Sequence, residues 1–379
     1  MKIFVTADNH IGKHLKKRKA LRDWAINNFK LIPSKIPNDI DYVIFAGDVF
    51  DKENTDIECY NAYIEVLSKI NSMPNIKNIF VITGNHDQYS NFYNSASIDV
   101  VKNIGNSKVV LCNKDYLVWN NDEDNLMITL LPFNRELFLD NEVGTKVITD
   151  KLNEVQFNNS NDCFKILVSH FAITDWMPFA TTGLSLDELI GNHYYNLIVM
   201  GDLHNEDYEK VDEETTVLYT GSTFHTSISD LSNHNNVCKI ITIEDNSVMN
   251  IEKVMLPKPP VVKIDKSNLD SLKDSLDENT IVITDDMDIH NDIKDRVLYS
   301  QYSPKLEVTN VTDDTVTTND DETIDITNIC IDKINNDSTI NNDTKSYLIN
   351  LLNIDTDSST ERIYPMKIFQ ERQRRFLKR

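Results

Sequence analysis

Residues 81–90 read VITGNHDQYS: an apolar run stops at Gly84, and Asn85, His86 and Asp87 follow at once. Alone, Gly-Asn-His-Asp is good turn chemistry, because glycine and asparagine accept unusual backbone angles and short polar side chains bond their own backbone. The event recurs, however. KIFVTA (2–7) runs into Asp8, Asn9 and His10, and DYVIFAG (41–47) runs into Asp48, with Asp51 just beyond. KILVS (165–169) ends on His170, and NLIVMG (196–201) runs into Asp202, Leu203 and His204. One such ending is a turn; five drawn from Asp, Asn and His are a pattern.

Runs this apolar, with no alternation, predict strands buried on both faces and covered by helices. In α/β folds the loops at the carboxyl ends of such strands carry the site. Oxygen and imidazole donors without thiolate suit Mn²⁺, Fe or Zn. The candidates are Asp8, His10, Asp48, Asn85, His170, Asp202 and His204, too many for one tetrahedral ion and about right for two. Two ions ~3.5–4 Å apart need a shared carboxylate. The i, i+2 pairs Asp8/His10 and Asp202/His204 fit as well, since alternate residues of an extended segment point the same way.

The 379 residues, 40% of them hydrophobic, suffice for one large domain and one or two small ones. A net charge of -22 argues against clamping DNA over the whole surface, so any nucleic-acid contact is local, metal-assisted or shared with a partner. Five scattered cysteines without a CxxC pair speak against a disulfide framework or a thiolate zinc site. MKIFVTADNH turns polar too soon for a signal peptide, and no apolar stretch approaches the ~20 residues of a membrane helix. A soluble, cytoplasmic protein without a membrane partner is expected.

Alternating strand and helix patterns fill residues 1–255, an α/β domain with mixed sheets flanked by helices. Residues 13–31 have helical spacing, with Leu21, Trp24, Ala25 and Phe29 on one side. Segment 108–120 with 125–133, and later 237–256, read as hairpin-like. The Pro-rich stretch 257–260 marks a boundary. A strand–helix–strand pattern follows, giving a small α+β domain over 256–306. Residues 307–345, rich in Asp, Asn and Thr, read as an acidic linker with one short helix. Residues 346–379 read as a helical, basic C-terminal tail, which either docks a partner or is a solvated end. The cluster Lys13, Lys16, Lys17, Arg18 and Lys19 beside the first ligand pair is open in the same way: it guides a DNA backbone or is a solvated helix start.

In this order, DNH, GDVFD, GNHD, SHF and GDLH resemble the motifs of the calcineurin-like metallophosphoesterases. TADNHIGKHL and AGDVFDKEN are similar to the SbcD type, the nuclease subunits of double-strand-break repair and recombination complexes, and YTGSTFHTS resembles that family's later Y-x-G-S strand. The resemblance implies a layered metallophosphoesterase fold with a capping domain after residue 256. It also implies a dinuclear centre, Mn²⁺ being the expected ion, that hydrolyses DNA phosphodiesters by exonuclease or endonuclease action. One metal would be held by Asp8, His10, Asp48 and His204, the other by Asp48, Asn85, His170 and Asp202, and His86 would be the catalytic acid. An SbcC-type coiled-coil ATPase and a homodimer are the implied partners. Two positions depart from the family: Asp202 stands where histidine is usual, and Asp51 where a histidine often follows the GDxF segment. GDVFDKEN also lacks the arginine of the phosphoprotein phosphatases, which lowers that reading; a small-molecule or cyclic-nucleotide phosphodiesterase remains open.

Overall fold

The computed structural model describes residues 1–303, apart from 14–18, 89–95, 103–106, 134–140, 160–161, 178–179, 181, 192, 212–213 and 273–274. Two βα crossovers begin the chain. Strand β1 (Lys2–Thr6) leads through helix α1 (Lys19–Lys35) to β2 (Tyr42–Ala46), and helix α2 (Ile57–Asn71) leads to β3 (Asn78–Ile82). A 3-10 turn at Ser97–Val101 precedes β4 (Val109–Cys112). These four strands pair in parallel, in register Ile3↔Tyr42, Tyr42↔Asn78 and Ile79↔Val109.

The chain then crosses to a second sheet. Strands β5 (Leu117–Asn121) and β6 (Leu126–Leu131) form an antiparallel hairpin there. The hairpin expected between 108–120 and 125–133 thus forms only through the second half of the first segment: β4 pairs with β3 in the first sheet, and Cys112 and Leu117 lie on either side of the crossing. Helix α3 (Asn141–Asn158) leads to β7 (Phe164–His170), and the small pair β8 (Ala172–Ile173) and β9 (Gly183–Leu184) precedes helix α4 (Leu186–Ile190) and β10 (Leu197–Gly201). Strands β11 (Glu209–Val211) and β12 (Thr216–Tyr219) follow, giving the order β11-β12-β10-β7-β6-β5. After helix α5 (Ile228–Asn233), β13 (Val237–Glu244) and β14 (Ser247–Met255) return to the first sheet, ordered β14-β13-β1-β2-β3-β4. Their hairpin turns at Asp245 and Asn246, both at positive φ, the backbone that two-residue hairpin turns require.

Side-chain alternation makes the two sheets a sandwich. Ile3, Val5, Ile44 and Ile82 face Ile128, Leu130, Ile166, Val168 and Val199 across the inner layer. Phe4, Val43, Phe45 and Val81 point the other way, under Phe29 of α1 and Tyr63 and Val66 of α2. On the opposite outside, Leu167, Ile198 and Met200 pack beneath Ile148 of α3 and Leu189 of α4. Strands buried on both faces explain the uninterrupted apolar runs. At 25 cal/mol per Å² each such side chain contributes about 1.5–3 kcal/mol.

Beyond the Pro-rich boundary, β15 (Val261–Ile264), helix α6 (Leu269–Leu272), β16 (Ile281–Thr284), helix α7 (Met287–Ile293) and β17 (Tyr299–Tyr302) build a three-stranded parallel sheet. Its Ile281 packs with Leu21 and Ala25 of α1 and with Phe224. Residues 304–379, with the expected acidic linker and basic tail, lie outside the described residues, as do Lys16, Lys17 and Arg18.

Candidate metal centre

Strands β1, β2 and β3 run parallel in one sheet, and β7 and β10 in the other, and the carboxyl ends of all five reach the same edge of the sandwich. All seven sequence-selected side chains, and His86, meet there. Asp48 Oδ2 is the hub, 3.7 Å from His10 Nε2, 3.9 Å from His86 Nε2 and 3.6 Å from His170 Nε2. On one side, His10 Nε2 lies 3.0 Å from His204 Nε2, and Asp8 Oδ1 is 3.9 and 3.8 Å from those two nitrogens. On the other side, His170 Nε2 is 3.2 Å from Asn85 Oδ1 and 3.9 Å from Asp202 Oδ1.

The backbone is bent to achieve this. Asp8, His10, Asp48 and Asp202 all have positive φ (48°, 42°, 50° and 103°), a region that non-glycine residues enter at a cost of order 1–3 kcal/mol. Gly84 is dictated by close approach: a Cβ there would lie 2.0 Å from Asp48 Oδ1. Gly47, at φ +93°, would carry a Cβ 2.3 Å from His170 Nδ1. Asp87 holds two of the loops together, accepting the N–H groups of Val49, Phe50 and Gly84 at 3.3, 2.9 and 3.0 Å. Asn9 is no ligand; its amide donates to Thr6 and Thr223 Oγ1 at 2.9 and 3.0 Å. Ser222 Oγ donates to the Asp8 carbonyl at 2.6 Å, which ties the Y-T-G-S segment to the first motif.

Ring orientation is fixed from behind. His170 Nδ1 bonds the Ala46 carbonyl at 2.8 Å, and His86 Nδ1 the Asp51 carbonyl at 2.7 Å. With the Nδ1 protons donated to carbonyls, both Nε2 atoms face the cavity, as a ligating or proton-transferring imidazole requires. His10 Nδ1 is buried, has no hydrogen-bond partner among the described residues, and lies 4.0 Å from the carboxylate of Asp51. Lys13 Nζ in turn reaches that same Asp51 oxygen at 3.0 Å.

Electrostatics favour a cation. Burial pushes Asp8 well above the usual carboxylate range and raises Asp202. Burial likewise holds His10 well below the ordinary imidazole value and His204 down to about 4, so both are neutral donors at pH 7. Burial opposes the charged form of His170, but Asp48, Asp8 and Asp202 outweigh it and raise it well above its ordinary value. Burial pushes Asp87 up to about 7, against the pull of its N–H donors. The buried carboxylates of Asp8 and Asp48, with the partly exposed Asp202 beside them, are costly around one cavity without compensating positive charge.

These donors fit divalent metal. Bonds of about 2.0–2.2 Å at octahedral or tetrahedral angles put neighbouring ligand atoms roughly 3.0–3.5 Å apart. The His10–His204 and Asn85–His170 spacings of 3.0 and 3.2 Å fall in that range. Asp8/His10/His204, His10/Asp48/His86 and Asp8/Asp48/His170 each converge closely enough to share one ion. What sequence reasoning missed is the support: Asp87 and Ser222 as loop braces, and the Lys13–Asp51 pair behind His10. Asp87 lies in plain view within the GNHD motif, but nothing in the sequence says which backbone it grips. Among the described residues no helix is long and apolar enough to cross a membrane.

By sequence the chain is similar to the DNA double-strand break repair protein Mre11 of Methanosarcina acetivorans, 27% identical over 239 residues, or 61% of this chain and 35% of that protein. It is also similar to the SbcD component of the SbcCD nuclease of Staphylococcus epidermidis, 23% identical over 280 residues, 70% of this chain and 71% of that protein. The chain thus matches only about a third of the archaeal protein's length. A dimetal phosphatase from Danio rerio superposes with a TM-score of 0.39 at 10% identity, over 68% of this chain and 99% of that one. The family model of the calcineurin-like phosphoesterases matches residues 1–206, a stretch that begins with β1 and closes just past His204. Every motif facing the cavity lies within it, and the chain belongs to that family, whose members are phosphoester hydrolases that use divalent metal ions.

Proposed function

We propose that this protein is a metal-dependent DNA nuclease of the SbcD type, acting in DNA repair, recombination or replication. The observation that carries the proposal is the position of Asp48, whose Oδ2 stands within 3.6–3.9 Å of three imidazoles. Such a carboxylate can be shared by two ions. In this reading Asp8, His10, Asp48 and His204 hold one ion, and Asp48, Asn85, His170 and Asp202 hold the other. When bound, two divalent cations, Mn²⁺ being the expected species, supply Lewis acidity at the phosphodiester and lower the pKa of the attacking water.

His86 is assigned the proton transfer. Its Nδ1–H is committed to the Asp51 carbonyl, so Nε2 faces the cavity and, when protonated, can donate to the leaving oxygen or to the phosphate as charge builds there. Its N–H also donates to Asp48 Oδ1 at 2.9 Å, which fixes the ring relative to the hub. The backbone strain at Asp8, His10, Asp48 and Asp202 serves preorganisation, since ligands already aimed at one cavity need no rearrangement on loading.

DNA is favoured over a phosphoprotein because the two similar proteins are a DNA-break repair protein and a nuclease component, and GDVFDKEN lacks a phosphate-gripping arginine. The domain plan belongs to the proposal: a nuclease domain over 1–255, a capping domain over 256–306, a linker over 307–345 and a partner-binding segment over 346–379. A coiled-coil ATPase of the SbcC type and a second copy of the nuclease are the proposed partners. A basic ATPase surface would offset the net charge of -22, which otherwise repels DNA. The test incubates the purified protein and Mn²⁺ with linear duplex, hairpin and single-stranded DNA, with bis-para-nitrophenyl phosphate and a phosphoserine peptide alongside. Metal-dependent DNA cleavage with the peptide untouched is expected; peptide hydrolysis without DNA cleavage overturns the reading.

A further inference from the structure

A cavity of about 230 Å³ opens beside the Asn85–His170–Asp202 side of the centre. Those three residues form its inner wall, and the other described lining residues are the apolar Phe133, Phe171, Ala172, Met177 and Ala180, with the hydroxyl of Thr182. The wall is anchored from three directions. Phe133, just past β6, donates its N–H to the Thr83 carbonyl at 3.0 Å and accepts from Gln88 Nε2 at 2.6 Å. Phe171 directly follows His170 on β7 and is 3% exposed. Met177, in the turn after β8, donates its N–H to Ile173 and accepts that of Ala180, both at 2.9 Å.

A phosphodiester gripped at the centre carries two substituents, and this cavity lies where one of them must go. Among the described residues no lysine or arginine lines it, and its apolar walls are poorly suited to a second phosphate. Its volume falls below that of sites for drug-sized ligands, so one ring system fits and a stacked duplex does not. Aromatic and thioether walls suit the flat, polarisable face of a nucleobase. We infer that this alcove receives the base of the nucleotide next to the scissile phosphate, so that the protein cuts a strand whose nucleotide at the cleaved bond has left the stack. The inference rests on the nuclease reading above and specifies the substrate: single-stranded or frayed DNA rather than an intact helix. Flipping a base into the alcove costs stacking energy, least where the base is already unpaired.

The test compares single-stranded oligonucleotides that keep every phosphate but carry an abasic residue on one side or the other of the cleaved bond, with bis-para-nitrophenyl phosphate as a base-free control. Loss of the base on one side, and not on the other, is expected to lower kcat/KM about 10-fold, the order of one base–aromatic contact. In Ala180→Leu, whose larger side chain narrows the alcove, the ratio between intact and abasic substrates is expected to fall to about 1, with thermal unfolding used to show that the variant folds. Equal cleavage of intact and abasic DNA by the wild-type protein overturns the alcove while leaving the nuclease reading standing. Hydrolysis of bis-para-nitrophenyl phosphate with no cleavage of any DNA overturns both.

Discussion

The two halves of the centre share Asp48 but differ in chemistry. The Asp8–His10–His204 half is rich in nitrogen and the more closed of the two, with Asp8 and His10 buried and His204 24% exposed. Both its imidazoles are held neutral by burial, and Asp8 is fully buried. The Asn85–His170–Asp202 half offers an amide, one imidazole and a carboxylate that is 28% exposed, and it opens into the apolar alcove. Oxygen donors favour harder ions, and imidazole suits Zn, Fe and Cu as well. In the proposed reading this contrast is a division of labour: one half would hold its ion, and the other would also meet substrate.

The largest expected effect comes from the residue the halves share. Asp48→Asn is expected to lower phosphodiesterase activity on the order of 10³-fold, several kcal/mol of charge stabilisation at ~1.4 kcal/mol per decade. Metal content by plasma mass spectrometry should fall for both halves at once. Loss of one ion with the other bound at wild-type affinity would show that Asp48 is not shared. His86→Ala touches neither half's ligands as proposed. Its activity is expected to fall about 10²- to 10⁴-fold with metal content unchanged, the range of a removed general acid. Unchanged cleavage by this variant would remove His86 from the chemistry.

Changes confined to one half test the contrast directly. Asp202→His makes the open half richer in nitrogen, and its preference for Zn²⁺ over Mn²⁺ is expected to rise about tenfold in competition titrations. The more closed half should not respond. Asp51→Ser does the reverse: it removes the carboxylate behind His10 Nδ1 and the partner of Lys13, while the backbone carbonyl that holds His86 remains. Metal affinity of the more closed half is expected to drop, but by less than the roughly 10–100-fold that follows loss of a hydrogen-bonded orienting carboxylate, because Asp51 stands 4.0 Å from His10 Nδ1. An equal loss in both halves would mean that the Lys13–Asp51 pair acts on the whole loop rather than on His10.

Much of this centre is legible from sequence because its strands are buried on both faces. An apolar run that stops abruptly on Asp, Asn or His needs no knowledge of pairing, and β1, β2, β3, β7 and β10 all announce themselves this way. The order of pairing is not written locally. Residues 108–120 read as one arm of a hairpin with 125–133, yet only the strand Leu117–Asn121 pairs there, while Val109–Leu111 pair in parallel with β3 before the chain leaves for the other sheet. Asp87 sits inside a recognised motif, but its partners Val49 and Phe50 belong to a loop brought close only by the β2–β3 register. The alcove is hidden for the same reason, since Phe133, Phe171 and Met177 come from three separate segments, each unremarkable in sequence.

The smallest expected effect lies away from both halves and serves as their control. Asp56 caps α2, accepting the Cys59 N–H at 3.0 Å, and pairs with the largely buried Arg22 of α1 at 2.5 Å. Burial works against its carboxylate, but the Cys59 N–H and Arg22 outweigh it and hold it below the usual range. A depressed carboxylate contributes stability above its unfolded value, near 3.9, and loses it as pH falls through the folded value. Asp56→Ala is therefore expected to cost about 1–2 kcal/mol near neutral pH, the order of a lost helix cap plus a partly screened ion pair. The gap from wild type should close in acid, as seen by denaturant unfolding at several pH values. Metal content and kcat should not change in either half. If they did, the α1–α2 layer would be coupled to the loops at the strand ends, and the difference between the halves could no longer be assigned to their ligands alone.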